Sequence, residues 1–303
     1  MLQLFVSNLT NEKEEITQIS CVLFKKYFLD DTNGVNPDDY EQMKKAVLDS
    51  LDFQAQSLLT LKRKADLLAK IFKLQNQSEQ LMTLLVNWAQ AKDVKSQQFA
   101  LYTFEKMTEC HLTPEQLTTH KESFYAIFES LMKEGEAVET RVAAFKATVC
   151  YLQSVTDEKV TADFKKLLPG MFAIVVDSLK SNEEDLGKQV LEKLVDLTQM
   201  SPSFLKDHLA AITKIVSDIV RTKEFETGTR TQACEVVLNL TEHMPAMMRK
   251  VPEMKVDFFQ AVVQLVTECE QDADTWKEML EDEQGTGSDA YSTGVNAISR
   301  LSV

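Results

Sequence analysis

The amino-acid sequence predicts an all-α solenoid, a right-handed superhelix of about seven helix pairs. Apolar residues recur at positions i, i+3, i+4 and i+7 through nearly the whole chain, as in residues 57–74 and 138–152, and this period is typical of amphipathic helices. Only 8 glycines and 6 prolines occur among 303 residues, and no alternating β-branched run is bounded by turns. A sheet is therefore not expected.

The helices fall into pairs that are separated by short breaks with helix-capping residues. Pro37 precedes two aspartates, and Thr113-Pro114 opens another helix. The first helices are predicted to begin near residues 1, 37, 78, 115, 158, 203 and 252, and the second helices near 12, 56, 93, 138, 184, 228 and 293. The resulting period of roughly 36–49 residues is inside or close to that of paired-helix HEAT or armadillo repeats.

Repeats of this kind bury their apolar faces only by stacking, so one solenoid is expected over residues 1–303. The chain begins on an apolar helix and stops early in a second helix without polar caps, and both ends are interpreted as cuts through a longer array. The predicted pairs cover about 1–28, 37–74, 78–110, 115–153, 158–200, 203–249 and 252–303, the last interrupted by an acidic loop at 271–292.

A small-residue motif recurs in the second helices. Arg141-x-x-Ala144 and Arg230-x-x-Ala233 match each other, and Gln97-x-x-Ala100 is a weaker copy. Alanine is expected to let neighbouring helices approach closely, with the long polar residue one turn earlier on the adjoining surface.

The charge and the cysteines limit the kind of partner and compartment. A net charge of −14 argues against DNA or an anionic membrane and favours a basic partner, although solubility alone also explains it. No run approaches the 18 apolar residues of a membrane span. The five cysteines lie far apart in apolar helical contexts, which predicts reduced, buried thiols. They are Cys21, Cys110, Cys150, Cys234 and Cys269.

The sequence contains no pattern that predicts catalysis. The four histidines are not at metal-ligand spacing, and G-x-G-x-x-G, G-x-x-x-x-G-K-[ST], G-x-S-x-G and H-E-x-x-H are all absent. We therefore expect no enzyme, no metal, no cofactor and no small-molecule substrate. Binding through extended protein surfaces is the remaining class of function.

An acidic segment interrupts the last predicted pair. Residues 268–289 contain nine acids and one base, Lys277, a density that attracts lysine-rich surfaces. Trp276 either packs back onto the solenoid or stacks on a partner's cation. The alternative is a solvated connector between two helices. The candidate partner contacts are Asp272, Asp274, Trp276, Glu278, Glu281, Asp282 and Glu283.

Charged residues on the predicted second helices form two further candidate surfaces. Second helices line the concave face of a solenoid, where carboxylates could receive a basic segment, although an ordinary polar helix face is the alternative. These acids are Glu183, Glu184, Asp185, Glu192, Asp196, Glu235 and Glu242. The bases of the early second helices are Lys25, Lys26, Lys62, Arg63 and Lys64, and their alternative role is to cover apolar neighbours with their stems.

Three stretches resemble, in order and spacing, the importin-β (karyopherin-β) family, most nearly its importin beta-3 branch. They are ADFKKLLPGMFAIVVDSL (162–179), SPSFLKDHLAAI (201–212) and TQACEVVLNLTEHMPAMMRK (231–250), and the acidic segment from Asp272 continues the likeness. The N-terminal half, including residues 17–28, fits more loosely. The resemblance implies a fragment that spans about the second to the eighth repeat of a longer receptor and lacks the first repeat.

The resemblance also implies a function. Members of the family carry cargo through nuclear pores, release it on binding Ran-GTP and contact phenylalanine-glycine nucleoporins, so cytoplasm, nucleus and nuclear pore are the expected locations. The resemblance makes the five bases of the early second helices candidate contacts for Ran. It makes the carboxylates of the acidic segment and of the later second helices candidate contacts for Ran or basic cargo proteins. Apolar residues of the first helices are candidates for nucleoporin grooves, although helical spacing places most of them in the core. They are Phe172, Ile174, Leu209, Ile212, Phe258, Phe259 and Val263. A static HEAT-repeat scaffold for a multiprotein complex, without Ran dependence, is the alternative.

Overall fold

The computed structural model describes residues 2–29, 36–109, 112–155, 157–180, 184–268 and 290–302. These ranges contain helices and connecting turns and no β-strand. The chain separates into two compact units, Met1–Leu167 and Leu168–Val303. One continuous solenoid over the whole chain stays a prediction.

The first unit consists of paired helices. Their boundaries follow local capping chemistry: the Thr113 and Gln116 side chains form a reciprocal capping box at α7, and Ser57 accepts the Thr60 N–H at the start of α4. The helices are α1 Leu2–Asn8, α2 Glu14–Phe24, α3 Pro37–Asp49, α4 Leu58–Leu74, α5 Ser78–Ala89, α6 Val94–Glu109, α7 Pro114–Thr119, α8 Lys121–Leu131, α9 Val138–Ser154 and α10 Glu158–Thr161, with a π-helical turn at Lys25–Leu29 and a 3₁₀ helix at Ala162–Leu167.

The second unit continues the same pattern. Its helices are α11 Leu168–Lys180, α12 Glu184–Met200, α13 Leu209–Arg221, α14 Thr227–His243, α15 Pro245–Met248, α16 Phe259–Thr267 and α17 Ala290–Leu301, with a 3₁₀ helix at Pro202–His208 and a π-helical turn at Met254–Phe258. Within this unit α12 packs on α14, and α14 packs on α17. In the first unit α4 packs on α6, and α6 on α9, so successive second helices stack in each unit.

The turn inside a pair is closed by a side chain of the second helix that donates to a carbonyl at the end of the first. Such carbonyls have no partner within their own helix. Thr17 Oγ1 donates to the Asn8 carbonyl at 2.7 Å. Gln97 Nε2 reaches the Ala91 carbonyl at 3.0 Å, one residue beyond the C-cap of α5.

Two arginines make the same closure. Arg141 Nε donates to the Met132 carbonyl at 3.3 Å, and Arg230 Nε donates to the Val220 carbonyl at 2.8 Å. These arginines are 7% and 4% exposed, so the expectation that the motif's long polar residue lies on a surface is wrong. The three motif alanines are buried, as expected for closely packed helices: Ala100, Ala144 and Ala233.

Arg230 also holds an ion pair with the residue that follows α16. Its Nη1 and Nη2 atoms lie 2.7 and 3.0 Å from the Glu268 carboxylate. The hydrogen bonds from Arg230 lower the pKa of Glu268 to about 2. One buried arginine thus joins α13, α14 and the end of α16.

In two pairs, α11–α12 and α16–α17, a glycine of the second helix faces the first helix. Gly187 lies in the first turn of α12, where a Cβ atom would overlap the Leu179 side chain. A Cβ atom at Gly294 would stand 2.8 Å from the backbone nitrogen of Val266. At Gly294 the neighbouring backbone leaves no room for a side chain, whereas at Gly187 the Leu179 side chain would have to move to admit one.

Replacing Gly294 with alanine should therefore destabilise the second unit by about 1–3 kcal/mol, because the new methyl group meets rigid backbone. Gly228→Ala is the matched control, since a Cβ atom there has no neighbour within 4 Å. Chemical denaturation followed by helical circular dichroism measures both. Equal midpoints for the two variants would contradict the close approach.

Candidate partner-binding surface

A basic strip lies on the second helices of the first unit. Lys25 and Lys26 occupy the π-helical turn that follows α2, while Lys62 and Arg63 lie on α4, which packs against α2. A cavity of about 340 Å³ opens between them. Its lining residues are Cys21, Val22, Lys25, Lys26, Arg63 and Asp66.

Asp66 and Tyr102 organise the inner edge of this strip. Tyr102 donates its hydroxyl to Asp66 at 3.1 Å, and burial raises the pKa values of both groups. Lys62 and Lys106 place their ammonium nitrogens 5.3 and 5.4 Å from the Tyr102 ring centre, close enough for cation–π attraction. Burial lowers the pKa of Lys62. Two cations and one carboxylate thus surround a single phenol.

Lys64 does not belong to this strip, and its prediction as a surface contact is wrong. Its side chain is 0% exposed, and Nζ donates to the Ser50 carbonyl at 2.6 Å. Burial lowers the pKa of Lys64 from 10.5 to about 8. Lys64 therefore closes the turn between α3 and α4, as Arg230 does between α13 and α14.

Some carboxylates predicted on the second helices of the second unit are engaged within the protein. Glu184 accepts the backbone N–H of Glu226 at 2.8 Å and the Thr229 hydroxyl, so it ties α12 to the start of α14. Asp196 pairs with Lys193 at 3.1 Å. Asp185 and Glu192 are exposed, and Asp185 lies 3.8 Å from Lys188.

Arg300 of α17 occupies the two carboxylates of α14. Its Nη1 atom lies 2.7 and 2.8 Å from the Glu235 oxygens, and its Nε atom lies 2.6 Å from Glu242. Asn239 accepts from Nη2 at 3.3 Å. The hydrogen bond from Arg300 lowers the pKa of Glu242. Glu235 and Glu242 therefore serve an internal guanidinium in this structure.

The predicted partner contacts of the acidic segment cannot be placed, because residues 269–289 lie outside the described residues, as does Glu183. This covers Asp272, Asp274, Trp276, Glu278, Glu281, Asp282 and Glu283.

The cysteine prediction is confirmed for three residues, since Cys21, Cys150 and Cys234 are buried thiols outside any disulfide. Cys110 and Cys269 are not among the described residues.

A cavity of about 860 Å³ at the N-terminal ends of α2, α4 and α6 was not predicted. Its carboxylates bind the surrounding loops. Asp52 accepts the N–H groups of Gln54 and Ala55, which lower its pKa, and Asp93 accepts the N–H of Ser96 at 2.7 Å. Aspartate just before a helix is the sequence signal for such caps.

The described residues lack two further features. No three or more histidine, cysteine, aspartate or glutamate side chains come together as metal ligands there. Among the same residues, none of the helices is long and apolar enough to cross a membrane.

The comparisons with known proteins agree with this architecture. A family model for IPO5-like TPR repeats matches residues 59–215, and an importin-repeat model matches residues 222–303. Importin subunit beta-3 of Saccharomyces cerevisiae is 23% identical over 159 residues, which are 52% of this chain and 14% of that protein.

Solved structures of Kap121p match 99% of this chain. Kap121p alone has a TM-score of 0.79 at 19% identity, and Kap121p bound to Nup53p has a TM-score of 0.78 at 19% identity. In both cases this protein spans 29% of the length of the Kap121p chain. The α-solenoid fold class predicted from the sequence is thereby confirmed.

The protein is thus a repeat protein of paired helices. With a family model over half of its length, the chain belongs to the importin-β (karyopherin-β) family, and the resemblance seen in the sequence is confirmed.

The buried ammonium of Lys64 predicts a pH dependence. Because its pKa falls from 10.5 when unfolded to about 8 when folded, the folded state binds fewer protons between those values, and stability rises with pH across that window. Lys64→Met removes this pH-dependent part of the free energy of unfolding. Gln56 still donates to the Ser50 carbonyl at 3.0 Å in the variant. The stability of the wild type relative to the variant should increase by on the order of 2 kcal/mol from pH 8 to 10.5.

Urea denaturation at several pH values measures this difference. Lys45→Met, at an exposed position, is the control and should show no such trend. A difference between the wild type and Lys64→Met that stays constant with pH would refute the burial of a titrating ammonium.

Proposed function

We propose that this chain is part of a nuclear transport receptor and acts by binding proteins, without catalysis. The observation that carries the proposal is its membership of the importin-β family. The karyopherin Kap121p, which shares its fold, has been solved with Nup53p, with Pho4p and with the protein phosphatase Cdc14p bound. The expected locations are the cytoplasm, the nucleus and the nuclear pore.

The two units present opposite charges on their second helices, and we assign them to different partners. The basic strip of Lys25, Lys26, Lys62 and Arg63 is the proposed contact for Ran-GTP. Lys25 and Lys26 make no ion pair with any described carboxylate, so their charge is available to an acidic protein surface. Electrostatic attraction of this kind raises the association rate and sets orientation.

The acidic residues of the second unit are the proposed contacts for basic cargo proteins. Asp185 and Glu192 are exposed; the Asp185 side chain is 94% accessible and its only described ion pair is a long one, to Lys188 at 3.8 Å, so both carboxylates can be reached by a lysine or arginine. Glu235 and Glu242 would require Arg300 to leave, and Glu184 would have to release the start of α14. The acidic segment that contains Trp276 remains proposed as a contact for Ran or cargo.

Nucleoporin phenylalanines fit best beside the exposed apolar residues in the first helix of the last pair. Val256, Phe259 and Val263 are 59%, 49% and 40% exposed, at spacings that place them on one helical stripe. Other apolar candidates of the first helices are in the core and are excluded from direct contact: Phe172, Ile174, Leu209, Ile212 and Phe258.

A pull-down with Ran loaded with GTP or with GDP tests the Ran assignment. We expect this chain to retain Ran-GTP in preference to Ran-GDP, and Lys25→Glu, Lys26→Glu and Arg63→Glu combined to weaken retention about tenfold at physiological salt, because charges that attract are reversed. The matched control reverses three exposed lysines elsewhere in the first unit: Lys45→Glu, Lys92→Glu and Lys133→Glu.

Two results would count against the assignment. Retention of Ran-GTP that is equally weakened by the control would show that total charge, not the basic strip, determines binding. Retention that ignores the nucleotide would favour the alternative function, a static scaffold without Ran dependence.

A further inference from the structure

The cavity between α2 and α4 has a distinctive wall. At Lys25 the α-helix gives way to a π-helical turn that runs to Leu29, and the two lysines of the lining lie in its first two positions. Single π-helical turns are uncommon and occur often at functional sites. The opposite wall is α4, which contributes Arg63 and Asp66.

The charge of the lining is unusual in an acidic protein. Three cations, Lys25, Lys26 and Arg63, share the cavity with one carboxylate, Asp66, in a chain whose net charge is −14. The remaining charge is therefore about +2, since each side chain carries a unit charge at neutral pH. Cys21 adds no negative charge, because burial raises the pKa of its thiol to about 12.

Within the described residues, one carboxylate serves this excess. Asp66 already accepts the Tyr102 hydroxyl at 3.1 Å, lies 3.8 Å from Arg63 and is also attracted to the charge of Lys25. The Lys26 ammonium lies 5.5 Å from the centre of the Tyr27 ring. Among the described residues no second carboxylate lines the cavity, so a bound anion would balance the charge of the three cationic side chains.

Apolar surface lies beside the cations. Val22, which lines the cavity, is 45% exposed, and Tyr27, which follows Lys26 in the π-helical turn, is 61% exposed. A bare inorganic anion would use only the cations, whereas a peptide would also cover these side chains.

We propose that this cavity binds the phosphate of a phosphoserine or phosphothreonine in a protein segment, whose neighbouring residues lie on Val22 and Tyr27. A phosphomonoester carries between −1.5 and −2 charges at pH 7, which matches the excess of the lining, whereas a carboxylate carries only −1. Arg63 offers a planar fork for two phosphate oxygens, and the lysines supply point charges.

This inference does not depend on the proposed transport function, because it uses only the geometry and charge of the first unit. Lys25, Lys26 and Arg63 are also proposed contacts for Ran-GTP. A binding assay without Ran therefore separates the two proposals.

The test is fluorescence anisotropy of the whole chain with an oriented library of 11-residue phosphoserine peptides, against the same library with serine and with glutamate. We expect the phosphorylated library to bind at least tenfold more tightly than either. Lys25→Ala with Lys26→Ala, and separately Arg63→Ala, should each weaken it at least fivefold. Lys45→Ala with Lys92→Ala is the charge-matched control and should leave it unchanged.

Circular dichroism establishes that each variant keeps its helical content, and Arg63→Lys, which keeps the charge and loses the fork, provides a second, milder probe. Equal binding of the three libraries, or no binding, would overturn the proposal. So would a phosphopeptide affinity that the cavity variants do not change. Millimolar inorganic phosphate should compete only weakly, and binding of phosphate without any preference for phosphopeptide would assign the cavity to small anions instead.

Discussion

The fold depends on how each helix pair satisfies the carbonyl groups at the end of its first helix. The last carbonyls of a helix have no partner within it, and a carbonyl left unpaired in the interior costs about 1–3 kcal/mol. In this protein the second helix supplies the donor. The donor is a hydroxyl at Thr17, an ammonium at Lys64 and a guanidinium at Arg230. Where glycine stands instead, as at Gly294, the helices approach until no side chain fits between them.

This constraint explains why residues of the same type have opposite roles at adjacent positions of one helix. Arg63 and Lys64 are adjacent on α4, yet Arg63 lines an open cavity while Lys64 is fully buried against the end of α3. The closure fixes the rotation of each second helix about its axis, because a donor that reaches the first helix can lie on only one face. The remaining charged side chains of the second helix then face solvent, where partners can contact them.

Much of the fold followed from the sequence because the 3.6-residue period is a local signal. The helices begin close to the predicted positions, as at Val138 and Glu184. The burial of Lys64 could also have been recognised, since it falls between Leu61 and Leu68 on the apolar stripe of α4. By composition alone the run Lys62-Arg63-Lys64 predicts one surface cluster, because composition does not include the position of each residue around the helix axis.

Other parts of the candidate site could not be predicted, because they depend on tertiary distances. Arg300 is 65 residues from Glu235, and nothing in the sequence indicates that the two meet. The arginine of the Arg-x-x-Ala motif was found by repetition, but its acceptor lies on the preceding helix at Val220. The cavity beside Lys25 depends on a π-helical turn, which has no sequence pattern comparable to a helix cap.

Hydrogen exchange of the Arg230→Ala variant tests the closure most directly. Our account predicts that amides from the end of α13 to the start of α14 exchange roughly 100-fold faster or more, since removing one partner of a buried charged contact costs about 3 kcal/mol. Glu268→Gln, which keeps the bond to Val220, should have a smaller effect there, and Arg249→Ala at an exposed position should have none. Protection of these amides that is the same in Arg230→Ala and Arg249→Ala would contradict the account.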